Sequence, residues 1–282
     1  MVKKEGQVTV SSENIFPVIR QWLYADRDIF LRELVANAQD ALQKLDHLEL
    51  IGEFERKDEE IGVQIFWDDK ERILTIEDDG IGMTLEEVDK YINDIAFSGA
   101  LDFVHKYEED GVAGEGIIGH FGLGFYSAFM VSDHVQIDTL SYKEDSEPAR
   151  WVSEDGLHYE MSTPEEDDPL RRETHGTEVR LHIPEDDDLD LSLGKIRKIL
   201  RKYCYFMAKP IYLMSADSSA EDQEDKDNKD SSEGSKDSSE ESKDDKALEK
   251  KKPVNNTHPL WLETPSEVED QDYIDFYHEC FT

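Results

Sequence analysis

Residues 28–45, DIFLRELVANAQDALQKL, constrain this chain more than any other stretch. Apolar residues at Phe30, Leu34, Ala38, Ala41, Leu42 and Leu45 recur at helical spacing, which predicts a helix with one face committed to a core. That pattern does not need Glu33, Asn37 and Asp40. At about 100° per residue, steps of four and then three keep these three on one side, as a polar stripe beside the apolar face. A carboxylate, a carboxamide and a second carboxylate in one stripe can hold a hydrated cation and orient a water. A solvated polar edge has the same pattern, so the assignment turns on whether other segments converge on this stripe.

Two glycine-rich segments are candidates for that convergence. A predicted hairpin, Ile61–Trp67 and Arg72–Ile76, runs into Glu77-Asp78-Asp79-Gly80-Ile81-Gly82-Met83, where paired glycines after a strand allow a tight turn and close approach of backbone to a ligand. Thr84-Leu85-Glu86-Glu87 then reads as a capping box that opens a helix to about Ile95. A calcium-binding EF-hand does not fit, because with Gly80 as the loop glycine the first ligand would be Thr75. The second segment, Ser98 to Gly124, carries Gly99, Gly111, Gly114, Gly116, Gly119, Gly122 and Gly124 around one helical piece, Leu101–Tyr107. Such a connection is expected to be disordered or a functional lid. Its end, Gly119-His120-Phe121-Gly122-Leu123-Gly124-Phe125, precedes a helical stretch at Tyr126–Val131, and glycines opening a helix offer backbone N–H groups to an anion. Neither the Walker lysine loop nor the Rossmann fingerprint is present.

A short strand at Gln7–Val10 and a helix at Ile15–Tyr24 are expected first. Later strands are expected at His134–Thr139, Ala149–Ser153, Leu157–Ser162, Gly176–Ile183 and Ile211–Met214, with a basic amphipathic helix at Leu193–Met207. The sum is a two-layer α/β (α+β) sandwich, with helices on one face of a mainly antiparallel sheet. Residues 215–253 are rich in Ser, Asp, Glu and Lys and cannot bury enough surface to offset their ordering entropy, so a flexible linker is expected. Apolar and aromatic residues return over 254–282, which read as the truncated start of a further domain, with 1–214 as the first.

The net charge of −37 argues against a general binder of nucleic acid or anionic membrane. The span Asp217–Lys252 holds 14 acidic and 8 basic residues, so most of that charge belongs to the folded part. Adaptation to high salt and a merely acidic mesophilic surface both accommodate it. No apolar run approaches the ~18 residues of a membrane span. The two cysteines, Cys204 and Cys280, are far apart, and reduced thiols in a cytoplasmic protein are the default.

FLRELVANAQDAL, EDDGIGMT, IAFSGA, IGHFGLGFYSAFMV and THGTEVRLHI occur in the order found in the amino-terminal ATPase domain of the heat-shock protein 90 chaperones, which the chain resembles in their bacterial form. The segment PLWLETPSEVEDQDYIDFYHECF is similar to the start of that family's middle domain. The resemblance implies a Bergerat-type GHKL ATPase fold, binding of ATP or ADP with Mg²⁺, client proteins as partners and a homodimer in the intact protein. It implies Glu33 as the general base, Asn37 as the Mg²⁺ ligand and Asp78 as acceptor of the adenine amino group. Gly82 and Met83 would flank the base, Thr177 would support Asp78 through water, and Asp40 would lie by the pocket. Gly119, Gly122, Gly124 and the Phe125 amide would cradle phosphates beneath a lid of about 98–124 that includes Ser98 and Gly99. Phe97 stands where many members have lysine, Tyr91 where several have asparagine, and Ala36 where serine is common. A DNA-transaction or signalling ATPase on the same fold and an acidic scaffold without turnover are the competing readings. The acidic surface counts against the first, and Glu33 beside Asn37 against the second.

Overall fold

The computed structural model describes residues 26–56, 62–94, 99–107, 117–119, 122–185, 189, 191–216, 252–266 and 268–281. The expected strand Gln7–Val10, the helix Ile15–Tyr24, Phe97, Ser98, the glycines 111, 114 and 116, and linker residues 217–251 lie outside the described residues.

Helix α1 spans Ile29–Leu50, longer than the stretch that announces it because Leu48 continues the buried face. Phe30, Leu31, Val35, Leu42 and Leu45 on that face are wholly buried. The helix stops where Ile51 N–H bonds His47 O and Gly52 takes a φ of 77°, the left-handed turn that releases the chain. Strands β1 (Val63–Asp68) and β2 (Ile73–Asp78) form the expected hairpin, in which Asp68 accepts the amides of Lys70 and Glu71 at 3.0 Å. Helix α2 (Leu85–Ile92) starts at Thr84 with both reciprocal bonds of the capping box. Helix α3 covers Gly99–Lys106.

Gly124–Met130 winds as 3₁₀ helix, with the end bonds Tyr126 N–H to Leu123 O and Val131 N–H to Ala128 O. Then follow β3 (His134–Leu140), β4 (Ala149–Ser153), β5 (Glu160–Ser162), β6 (Gly176–His182), α4 (Leu193–Tyr203) and β7 (Ile211–Ser215). The sheet order is β5-β4-β3-β6-β2-β1-β7, antiparallel throughout except for the parallel pair β1–β7.

Two of the elements that fall short of their sequence patterns have a visible local cause. β5 starts only at Glu160, because the Asp155 carboxylate captures the amides of Leu157 and His158, at 2.8 and 2.7 Å, and holds them in a turn. α4 ends at Tyr203, before Met207, where Cys204 N–H bonds Leu200 O and Met207 N–H turns back onto Cys204 O. Its basic face is partly committed: Ile196, Ile199 and Leu200 are buried, Lys195 pairs with Asp28 at 2.8 Å and Lys202 with Asp26 at 3.1 Å. Beyond residue 251, Val254 N–H bonds Ile211 O, and Ile211 N–H bonds Asn255 Oδ1, each at 2.8 Å. A final helix, α5 (Asp270–Phe281), brings Phe276 against Trp261 and Phe206, with ring centroids 5.8 and 5.7 Å away.

Candidate active site

The strands that meet under α1 carry three cross-strand rows on their inward face. Leu74, Leu181 and Val135 form one row, and Ile76, Val179 and Ile137 the next. The third row is Asp78, Thr177 and Thr139, in which the apolar core gives way to polar groups, Asp78 and Thr139 buried and Thr177 half-buried. Asp78 is 5% exposed and its Oδ1 accepts the Gly80 amide at 2.9 Å. Burial raises its carboxyl to about 7, against the opposing pull of the Gly80 amide and the Arg172 guanidinium. A buried carboxylate with a free oxygen facing a cavity is a demanding acceptor, since leaving it unpaired is costly.

The turn after β2 is wedged between α1 and the end of β3. Ile81 N–H bonds Ala41 O at 3.3 Å, and Tyr142 N–H bonds Ile81 O at 2.8 Å. Gly82 has a φ of 56°, and a Cβ there would stand 1.8 Å from Leu140 O, so only glycine fits. Met83 N–H, next along, bonds Thr139 Oγ1 at 3.0 Å. Arg172, nearly buried, ties this turn to the approach of β6 by bonds to Glu77 Oε1 (2.5 Å), Asp79 Oδ1 (3.4 Å) and His175 O (3.3 Å).

The stripe on α1 faces the other side of the same space. Asp40 is 3% exposed; its two oxygens accept the amides of Ile118 and Gly119, each at 2.7 Å. Asn37 is exposed into the opening. Glu33 pairs with Arg32 at 2.9 Å, and burial raises its carboxyl above the ordinary value against the pull of that cation. A Cβ on Gly124 would lie 2.9 Å from Glu33 Oε2 and 3.7 Å from Asn37 Oδ1, so the glycine segment touches the stripe because it lacks side chains.

A cavity of about 900 Å³ joins these parts. Glu33, Asn37 and Asp40 line it from α1, and Asp78, Gly82, Met83 and Thr177 from the sheet side. Gly99, Gly119, Gly122, Gly124 and Phe125 complete the set, which is every residue expected at the site except Ser98, outside the described residues. Phe125 also anchors the wall, its ring 5.4 Å edge-on from Trp151. Tyr91 and Ala36 line the cavity as well.

Three participants escaped the sequence reading. Lys44 lines the cavity one step of four beyond Asp40, and its ammonium lies 5.9 Å from the Phe103 ring. Burial lowers its pKa, opposed by Asp40, Asp78 and Glu87. Continuing the spacing 33, 37, 40 would have reached it. Thr139 and Arg172 carried no local signal, since their places depend on strand register and on a loop fold.

The model of a family described as histidine kinase-, DNA gyrase B-, and HSP90-like ATPase matches residues 28–177, and that of Hsp90 protein matches 191–282. The chain is 40% identical over 280 residues to the chaperone protein HtpG of Porphyromonas gingivalis, covering 99% of this chain and 36% of the relative. It is 42% identical over 278 residues to that of Bacteroides fragilis, with the same shares, and 33% identical over 256 residues to that of Wolinella succinogenes, covering 90% of this chain and 36% of the relative. The chain thus spans about 36% of the length of these curated relatives. With the first match running from the stripe helix through Thr177 and the second covering the carboxy-terminal third, the chain belongs to the HSP90-like ATPase family, in its bacterial HtpG branch.

Proposed function

We propose that the cavity binds ATP and ADP with Mg²⁺, and that the chain is the nucleotide-binding part of a longer cytoplasmic stress chaperone that couples ATP hydrolysis to folding of client proteins as a homodimer. The observation that carries this reading is the division of one cavity into two polar ends. A polar row, buried Asp78 and half-buried Thr177, lies at its floor, and the Glu33–Asn37 stripe faces the glycine segment at its mouth. The floor suits the amino group of adenine, and the mouth suits a polyphosphate.

At the floor, Asp78 accepts the amino group, with Thr177 beside it. At the mouth, the amides of Gly119, Gly122, Gly124 and Phe125 offer donors to phosphate oxygens, without the lysine of a Walker loop. Among the described residues no three His, Cys, Asp or Glu side chains cluster as a metal site. Asn37 Oδ1 stands near the glycine segment, 3.7 Å from where a Cβ on Gly124 would lie, and one such oxygen fits Mg²⁺, which commonly takes one or two protein oxygens and completes its shell with phosphates and water. Asn37 Oδ1 would supply the protein oxygen, and the ion would neutralise charge on the phosphates. Glu33 accepts the proton of the attacking water; its raised pKa makes it a better base than an exposed carboxylate. By the family resemblance an arginine from the middle domain completes the site, and the nucleotide-binding region without that arginine would turn ATP over slowly.

No helix among the described residues is long and apolar enough to cross a membrane. The acidic surface disfavours nucleic acid as a partner. Calorimetric titration of ADP with and without Mg²⁺ tests the proposal. Mg²⁺-dependent binding, lost in Asp78→Asn and weak for GDP, is the expected result. Absence of ADP binding would overturn it, and fast turnover by this chain alone would remove the requirement for an outside arginine.

A further inference from the structure

Thr139 is wholly buried in the third cross-strand row and does not line the cavity. Its hydroxyl nevertheless makes three hydrogen bonds. Oγ1 accepts the Met83 amide at 3.0 Å, lies 2.9 Å from Gly176 O, and lies 3.0 Å from Thr177 Oγ1. A hydroxyl has one proton and two lone pairs. The Gly176 carbonyl can only accept, so Thr139 gives its proton there. The bond between the two threonines must then run from Thr177 O–H to Thr139 Oγ1, which fills the second lone pair. Thr139 is saturated, and the Thr177 proton is consumed.

We infer that Thr139 is a specificity-determining positioning residue: by taking the Thr177 proton it makes Thr177 face the cavity as an acceptor only. Asp78 Oδ1 accepts Gly80 N–H, and Asp78 is the register partner of Thr177 across β2 and β6, so the ionised carboxylate keeps the lone pairs of Oδ2 to offer. Two neighbouring acceptors select a ligand edge that donates, such as an amino group, and reject an oxo group at the same place. The polarity survives a bridging water. A water that donates both protons to Asp78 and Thr177 has only lone pairs left for the ligand. Were Thr177 free to donate, the water would keep a spare proton and an oxo group would be accepted. The inference rests on the adenine reading above and names the group that enforces it.

The test compares ADP with inosine diphosphate, which carries an oxo group where ADP has its amino group, by calorimetry on the whole chain. In Thr139→Val the freed Thr177 hydroxyl can turn to the ligand, so the ADP preference should narrow by about ten-fold or more. Thr139→Ser should restore it. Because Thr139→Val also strips partners from Met83 N–H and Gly176 O and can fail to fold, Thr177→Val is the second variant. It leaves the Thr139 bonds to Met83 and Gly176 in place and should also narrow the preference. In the Thr177→Val background, adding Thr139→Val should narrow it no further. An unchanged preference in Thr177→Val, or equal narrowing by Thr139→Val in both backgrounds, overturns the inference while leaving the adenine site standing. An unmodified chain that binds neither nucleotide, or both alike, overturns the adenine reading itself.

Discussion

Asp40 holds the Gly119 amide at 2.7 Å with one carboxylate oxygen while the other holds Ile118. The helix stripe thus fixes the start of the glycine segment by two charge-assisted bonds, each worth about 1.5–3 kcal/mol when a charged group is involved. Asp40→Asn keeps one acceptor oxygen and loses one of the two bonds; Asp40→Ala loses both. Hydrogen exchange at Ile118 and Gly119 should therefore accelerate in the order wild type, Asn, Ala, with the sheet amides of β2 and β6 unchanged. Equal acceleration across the whole sheet would mean global destabilisation instead, and no acceleration would mean that other contacts hold the segment.

The Asp78 carboxyl, raised to about 7 from 3.8 by burial, couples binding to stability in opposite senses. The folded chain holds its proton more tightly than the unfolded one, so this group's stabilising contribution is full below 3.8 and is lost as pH rises through about 7. Asp78→Asn removes that loss while keeping an oxygen for the Gly80 amide. Urea unfolding should show the variant gaining stability relative to wild type between pH 5 and pH 8, even as ADP binding disappears. A stability difference independent of pH would show that Asp78 is not a buried titrating group.

Helix α1 was legible because its two periodicities, apolar and polar, are both local. The glycine turn after β2 was legible because glycine is needed where backbone meets backbone, as Gly82 does at Leu140 O. The row Asp78–Thr177–Thr139 was half legible. Asp78 and Thr177 sit in motifs that the resemblance carried, whereas Thr139 becomes a neighbour only through the β3–β6 register, which no short stretch of sequence encodes. The same holds for Asp40: its place on the stripe was readable, but its amide partners, 78 and 79 residues away, belong to the tertiary fold. The ends of β5 and α4 were missed because Asp155 and Cys204 divert backbone groups that a propensity pattern assigns to regular structure.

Gly82 and Gly52 separate steric from conformational cost. Both have positive φ, 56° and 77°, but a Cβ on Gly52 meets nothing within 4 Å while one on Gly82 meets the Leu140 carbonyl at 1.8 Å. Gly52→Ala should cost about 1 kcal/mol, the left-handed backbone penalty alone. Gly82→Ala must displace strand β3 and should cost about 3 kcal/mol or more, with loss of ADP binding. Similar melting temperatures for the two variants would show that the β2 turn can shift without harm.

Glu33 and Gly124 meet where chemistry and packing share an atom. A Cβ on Gly124 would press Glu33 Oε2 at 2.9 Å, and that oxygen is the free end of a flexible side chain, so the fold can yield by moving it. Gly124→Ala should therefore keep stability within about 1 kcal/mol of wild type. On the proposed role of Glu33 as general base, turnover should fall about ten-fold or more, because a displaced base would no longer meet its water. Glu33→Gln, which removes the base, should bind ADP normally and lose about 10²–10⁴ in turnover. Arg32 supplies the check on mechanism: its cation opposes the upward push of burial on Glu33, so Arg32→Gln should move the rising limb of the pH–rate profile to higher pH. Phosphate release measured from pH 5 to pH 9 under saturating Mg²⁺–ATP decides this. A profile that stays in place after Arg32→Gln would mean that the rising limb belongs to a group other than Glu33.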